Sequence, residues 1–276
     1  MSKHGIVAIT GAGQGLGLAM AVEFARRGYP VLALNQFEEH HEEVEKATAG
    51  LTGKVECRVL DVTKPGDFVF PDNLEVLINN AGIRLKNYPI EMIDMDEWRR
   101  YVEVNFLGVV DMTRRAIPVM KKLNYGVICN INSASSTMPY PFLGPYRATK
   151  GAVGQFSETL RSEVHQFGIR VMEILPGGIA TGLTSSSMGN KKTEAANLPD
   201  YAELADNLLK YFKSRKMNYI PAEEAAKVIA DAIEEKPGKF RYGTDESSNK
   251  AIESWRTGGG DPLMIDFINK ITPKSE

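Results

Sequence analysis

Cysteine, histidine and excess charge are all scarce in this chain, and each scarcity excludes something. The two cysteines, Cys57 and Cys129, fall in apolar strand-like runs where a free thiol behaves as a small buried hydrophobe, so a disulfide scaffold is not expected. The four histidines are His4, His40, His41 and His165, and the adjacent pair diverges on any regular element, so no metal site is expected. Lys and Arg number 33 against 35 Asp and Glu, a net charge of −2 with the signs interspersed. That leaves no broad cationic face for nucleic acid. No apolar run reaches bilayer-spanning length, so no membrane partner is expected. The first strand is expected from about Gly5, which leaves no place for a secretory leader ahead of it, and a cytoplasmic location is the default expectation.

What is present is an ordinary globular balance, 43% hydrophobic and 25% charged residues over 276 positions, enough for one large core. Short apolar runs alternate with helical periods. Strands are expected over Gly5 to Thr10, Pro30 to Leu34, Val55 to Leu60, Leu74 to Ile78, Gly126 to Ile131 and Ile169 to Leu175. Helices are expected over Gly15 to Gly28, Glu38 to Ala49, Asp96 to Leu123 and Tyr146 to Phe167. Nearly unbroken apolar strands between helices argue a parallel sheet covered on both faces, a doubly wound α/β fold whose ligands sit beyond the carboxyl ends of the strands.

After Pro176 the pattern changes. The stretch from Gly182 to Asn197 has no apolar period and is expected to be a mobile loop. Leu198 to Phe212 and Pro221 to Glu234 are amphipathic, and Gly258 to Gly260 makes a break before an apolar tail. The whole chain, 1–276, is therefore expected to be one domain, with 182–218 as a substrate loop or lid and 244–276 as a C-terminal extension.

The chemistry begins at the first strand-to-helix turn, Thr10-Gly11-Ala12-Gly13-Gln14-Gly15-Leu16-Gly17. Glycines there let a pyrophosphate approach the backbone, and the helix amino end offers free N–H donors. Tyr146 and Lys150 lie four apart on a helix, so both side chains rise from one face. An ammonium beside a phenol stabilises the phenolate and brings it toward general acid/base duty. Ser133, just past the fifth strand and with Ser135 and Ser136 as neighbours, offers a hydroxyl that can hold a substrate oxygen as charge develops. A nucleophilic serine is disfavoured, because no Gly-x-Ser-x-Gly elbow surrounds it and no histidine is placed as its base.

In this order the motifs resemble the short-chain dehydrogenase/reductase family, in its Thr-Gly-x-x-x-Gly-x-Gly branch, over about residues 5 to 243. The matching residues are the glycine turn, Asp61-Val62, Asn79-Asn80-Ala81-Gly82, Asn105, Ser133, Tyr146, Lys150, and Pro176-Gly177 followed by Ile179 and Thr181. The resemblance implies a Rossmann-like single domain and an oxidoreductase that passes a hydride between NAD(P) and an alcohol or ketone. It implies Asn105, Ser133, Tyr146 and Lys150 as the catalytic set, with Asn105 holding a water in a relay to Lys150. The implied cofactor contacts are Gly11, Gly13, Gln14, Gly15, Leu16, Gly17, Asn35, Asp61, Val62, Asn80, Ala81, Gly82, Tyr146, Lys150, Pro176, Gly177, Ile179 and Thr181. It also implies a homodimer or homotetramer paired through the two long helices.

Cofactor choice turns on Asn35 at the end of the second strand, where an NAD enzyme carries Asp and an NADP enzyme keeps Arg or Lys nearby. Gln14, Gln36 and Phe37 carry no cation for a 2′-phosphate, which favours NAD. The run Met138-Pro139-Tyr140-Pro141-Phe142-Leu143 is expected to line the reacting site, which favours a bulky apolar or aromatic secondary alcohol or its ketone. Two alternatives stand beside this reading. One is an epimerase or dehydratase of the same superfamily, whose shorter glycine turn is absent here; the other is a regulator that binds a dinucleotide without turnover.

Overall fold

The computed structural model describes residues 4–180, 193–214, 219–236, 238–257 and 260–272, with side chains 260–264 excepted. Seven parallel strands form one sheet in the order β3-β2-β1-β4-β5-β6-β9. They are β1 Ile6–Thr10, β2 Val31–Asn35, β3 Val55–Val59, β4 Leu74–Asn79, β5 Gly126–Ile131, β6 Ile169–Leu175 and β9 Arg241–Gly243. A separate two-stranded pair joins β7 Ile179–Ala180 to β8 Ile220–Pro221.

Period-two alternation explains how one sheet supports two cores. On β1, Val7 and Ile9 face a cluster containing Met20 and Phe24 of α1 (Gly15–Arg26) and Ile229 and Ile233 of α7 (Ala222–Glu234). Ala8, between them, faces the opposite cluster, which holds Met112 and Met120 of α4 (Gly108–Leu123) and Leu160 of α5 (Gly144–Val164). Central strands buried on both faces cannot afford polar alternation, which is why they read as continuous apolar runs.

The expected helix over Glu38 to Ala49 is a tight turn, Glu38–His40, followed by α2, His41–Thr48. The long helix expected from Asp96 to Leu123 is α3 (Met95–Val102), a widened π turn at Glu103–Leu107, and then α4. The apolar period runs through the turn, so spacing alone conceals it. Asn105 sits in this turn and is fully buried, and such bulges recur at functional sites.

Of the expected lid, 182–192 and 215–218 lie outside the described residues. The remainder is ordered: a short turn at Glu194–Asn197, within the span expected to be loop, leads to α6, Ala202–Ser214. The C-terminal extension folds as α8 (Glu246–Arg256) and α9 (Gly260–Ile271). Phe267 and Ile271 of α9 close a third cluster with Leu208 and Phe212 of α6 and Phe142. Cys57 on β3 and Cys129 on β5 are free thiols on strands separated by three others.

Candidate functional site

Strands are added in one direction from β1 to β3 and in the other from β4 onward, and the crevice at the carboxyl ends of β1 and β4 is where this architecture binds ligands. The glycine turn leaves β1 here. Gly11 takes φ +65°, a left-handed conformation that disfavours a side chain, and a Cβ on Gly17 would lie 2.0 Å from the Gly11 carbonyl oxygen. That contact leaves room for hydrogen only, and it sets the amino end of α1 against the turn. Asn80 holds the turn from β4: its Nδ2 donates to the carbonyls of Thr10 (2.9 Å) and Gly11 (3.0 Å). Thr10 Oγ1 in return accepts from the backbone N–H groups of Asn80 and Ala81, both at 3.0 Å.

Asn35 closes β2 beside this turn, since Gly11 N–H donates to the Leu34 carbonyl at 2.8 Å. Asn35 is 1% exposed, and neither its side-chain oxygen nor its nitrogen has a partner among the described residues. A buried amide without partners costs stability unless a ligand satisfies it. Together with the cradle at Gly11 and Gly17, it fits the adenosine end of a dinucleotide. Asp61 is committed locally: burial pushes its carboxyl up, but hydrogen bonds from the Thr63 N–H and hydroxyl outweigh that and hold it below the usual range.

The other expected contacts fall around the same crevice. Gln14 caps α1 through its backbone and is exposed, Gly13 packs against His40, Gly15 begins α1, and Leu16 packs on the core. Val62 packs against Gly108, Ala81 follows Asn80, and Gly82 lies near Asn105 and Lys150. Pro176 accepts from the Ala134 N–H, Gly177 donates to Thr244, and Ile179 is buried in β7. Thr181 lies outside the described residues.

Across the crevice, α5 carries Tyr146 and Lys150, which are 7% and 5% exposed. Lys150 Nζ donates to the Ile131 carbonyl at 2.7 Å, which ties it to the end of β5. Burial pulls its ammonium down to about 8, opposed by the charge of Glu173. Burial pushes the Tyr146 phenol up, while the charge of Arg84 and a hydrogen bond with Ser133 pull it back. Lys150 Nζ and Arg84 Cζ flank the Tyr146 ring at 5.8 and 5.7 Å from its centre. The spacing Tyr-x-x-x-Lys points to the lysine as the cation acting on the phenol; the structure brings a second cation, and it is Arg84 that pulls the phenol down.

Ser133 caps the short turn Ala134–Thr137, accepts from the Ser135 N–H at 3.2 Å, and shares a 2.8 Å hydrogen bond with the Ser135 hydroxyl. Its own N–H donates to Asn132 Oδ1 at 2.9 Å, and Asn132 Nδ2 donates to Glu173 Oε1 at 3.0 Å. Asn105 grips Ile83 by both ends: its Oδ1 accepts from the Ile83 N–H at 2.7 Å and its Nδ2 donates to the Ile83 carbonyl at 3.0 Å. That clamp orients the chain where Arg84 leaves it.

The loop expected to line the site divides. Phe142 and Leu143 are buried, and Tyr140 packs against Phe212 and Phe267, each 5.3 Å between ring centres. Much of its apolar surface therefore holds α6 and α9 in place. Phe142 adopts φ +65°, an uncommon conformation for a bulky residue, four positions before Tyr146. Sequence reasoning missed Arg84, Asn132 and Glu173. The last left a visible signal, a lone carboxylate inside the apolar run Ile169–Leu175.

Among the described residues no helix is long and apolar enough to cross a membrane, and no group of three or more His, Cys, Asp or Glu could hold a metal. Residues 5–192 match the family model described as short chain dehydrogenase. The chain is 30% identical over 232 residues to the uncharacterized oxidoreductase YusZ of Bacillus subtilis (strain 168), covering 81% of this chain and 82% of that one. It is 31% identical over 180 residues to the NADP-dependent 3-hydroxy acid dehydrogenase YdfG of Escherichia coli (strain K12), covering 62% of this chain and 71% of that one. A short-chain dehydrogenase from Streptomyces avermitilis shares the fold, with a TM-score of 0.76 at 23% identity, over 99% of this chain and 100% of the other. The expected preference for NAD finds no support here, because one of these relatives is named for NADP. With glycine turn, switch-point crevice and sequence match in agreement, the chain belongs to the short-chain dehydrogenase/reductase family of NAD(P)-dependent oxidoreductases.

Proposed function

We propose that the protein moves a hydride between NAD(P) and a secondary alcohol or its ketone, with Tyr146 as the group that carries the proton. The observation that carries this reading is the phenol of Tyr146, buried, with Lys150 Nζ and Arg84 Cζ both within 6 Å of its ring centre. The bound nicotinamide supplies the hydride acceptor or donor. In oxidation the Tyr146 phenolate takes the alcohol proton as the C–H bond is lost, and in reduction the phenol returns a proton to the developing alkoxide. Ser133 Oγ orients the substrate oxygen and stabilises its charge.

Lys150 holds its ammonium between Ile131 and the ring of Tyr146, where it supports the phenolate and is placed to bind the dinucleotide. Asn105 anchors Ile83, and its carbonyl oxygen keeps a lone pair for the proposed water relay toward Lys150. Gly11, Gly13, Gly17, Asn35, Asn80 and Thr181 belong to the proposed dinucleotide site, with the other residues of the crevice around them.

An apolar or aromatic substrate body is supported by the run from Met138 to Leu143. A 3-hydroxy acid, the class in the YdfG name, is a secondary alcohol when its C3 carries a further carbon, and such acids fall within this reading. Exposed Met95, Val102 and Leu107 on α3 and the π turn support assembly of copies through those long helices. Retention of both Tyr146 and Lys150 weighs against a regulator without turnover.

The test is Tyr146→Phe, assayed with NADH and NADPH on a panel of ketones and with the oxidised forms on the matching alcohols. Turnover is expected to fall by about 100-fold or more, while fluorescence titration still shows dinucleotide binding. A variant that turned over at the wild-type rate would remove the proton role from Tyr146.

A further inference from the structure

We infer that Arg84 is an anion-binding residue of the substrate site, and that the substrate is a hydroxy acid or oxo acid whose carboxylate it grips. The inference rests on Tyr146 as the proton-handling residue and names the substrate class for that same site.

Arg84 leaves the bend after Asn79-Asn80-Ala81-Gly82, with its backbone direction set by the grip of Asn105 on Ile83. Its guanidinium carbon stands 5.7 Å from the centre of the Tyr146 ring. The groups that act on its charge are the phenols of Tyr146, Tyr101 and Tyr219, and no carboxylate is among them. Nε and Nη2 are buried and have no hydrogen-bond partner among the described residues. The stretches 181–192 and 215–218 contain no Asp or Glu.

Structural arginines elsewhere in this protein find hydrogen-bond partners, Arg147 and Arg170 among backbone carbonyls alone. Arg27 pairs with Glu23, Asp231 and Glu234, and Arg241 pairs with Glu173 and Glu158. Arg115 meets Asp111 and two backbone carbonyls. A partly buried guanidinium without a carboxylate costs stability, and burial indeed pulls Arg84 below its ordinary range. Folded proteins keep such groups where function repays the cost. A planar fork with free N–H donors matches a carboxylate in two-point geometry, and it does so beside the residue that handles the proton. The dinucleotide phosphates have their own cradle at the glycine turn, so the anion that fits here is the substrate's.

The experiment compares wild type, Arg84→Gln and Arg84→Lys on 3-hydroxybutanoate and 3-hydroxy-3-phenylpropanoate, each beside its methyl ester. Two readouts are taken: the acid-to-ester ratio of kcat/KM, and the rise in Tm that each acid causes with dinucleotide bound. Wild type is expected to favour the acids. Arg84→Gln slows both substrates, because the cation also acts on Tyr146, but the ratio is expected to fall about 100-fold. Arg84→Lys should fall between, keeping the charge and losing the fork. The acids should raise the Tm of wild type and not that of Arg84→Gln.

Equal treatment of acid and ester by wild type, an unchanged ratio in Arg84→Gln, or no acid-dependent rise in Tm would each overturn the inference. The Tm readout needs no turnover. An active Tyr146→Phe variant would therefore remove the proposed reaction and leave carboxylate binding at Arg84 standing on its own result.

Discussion

Arg241 Nε donates to Glu173 Oε2 at 2.8 Å, and Glu173 is fully buried. The pair joins β9 to β6, and through Asn132 it reaches the N–H of Ser133. Burial pushes the Glu173 carboxyl up, with Arg241 and Asn132 opposing. Removing Arg241 strands a buried carboxylate, so Arg241→Leu is expected to cost roughly 3–5 kcal/mol at pH 7. Because the folded carboxyl already binds its proton more readily than the unfolded one, the penalty should shrink as pH falls toward 5. The double variant Arg241→Leu, Glu173→Gln should recover part of the loss. Chemical denaturation at the two pH values checks this, and a pH-independent loss would contradict it.

Lys150 yields a second pH dependence, of the opposite sign. Its folded value of about 8 lies below its ordinary 10.5. Below pH 8 both states are charged and the folded state carries the full cost of burying the ammonium. Between 8 and 10.5 the unfolded chain binds a proton that the folded chain has released, so stability rises with pH. The interval corresponds to roughly 3 kcal/mol. Lys150→Met should abolish the rise, as measured by denaturation without dinucleotide from pH 7 to 10. A variant that kept the wild-type slope would place its origin elsewhere.

Asn35, buried and without a side-chain partner among the described residues, is proposed to read the ribose end. Asn35→Asp places a carboxylate where a ribose 2′-hydroxyl is gripped and a 2′-phosphate is repelled. The ratio of kcat/KM for NADH over NADPH is expected to rise by about tenfold or more. An unchanged ratio would show that Asn35 does not face the ribose.

Phe267 anchors α9 and is 1% exposed, against Tyr140 and Tyr211 at 5.3 and 4.9 Å between ring centres. Phe267→Ala is expected to cost about 3–5 kcal/mol. The cost should be local, because this cluster is separate from the two that cover the sheet. Hydrogen exchange should accelerate in α9 and α6 and stay slow in β1 and β4. KM for the alcohol should rise as Tyr140 loses its support. Accelerated exchange across the sheet would refute a separate corner.

β5 and β6 match their sequence expectation residue for residue, because a strand buried on both faces is held to a mostly apolar run, with Asn130, Arg170 and Glu173 as hydrogen-bonded exceptions. β9 escaped notice. It is three residues long, and it is held by the Glu173 N–H donating to the Phe240 carbonyl and by the Arg241 pair, both contacts with β6 some seventy positions earlier. The π turn at Asn105 escaped for the opposite reason, since its apolar spacing continues that of the flanking helices. In the site, the shared face of Tyr146 and Lys150 was legible from local spacing, and Ser133 was singled out by the family resemblance. Arg84 was not, because nothing near it in the chain says where its side chain goes; Asn105, twenty-one positions later, does.

By itself the sequence determined the alternation of strands and helices, the glycine turn and the shared face of Tyr146 and Lys150. Each is a matter of repeat and reach within a few residues. Only the tertiary structure decided that Arg84 stands beside the phenol, that Glu173 is tied to Arg241, and that α9 packs on α6. These depend on which distant groups share one low-dielectric interior, where a charge or an aromatic ring takes its energy from neighbours that chain order does not specify.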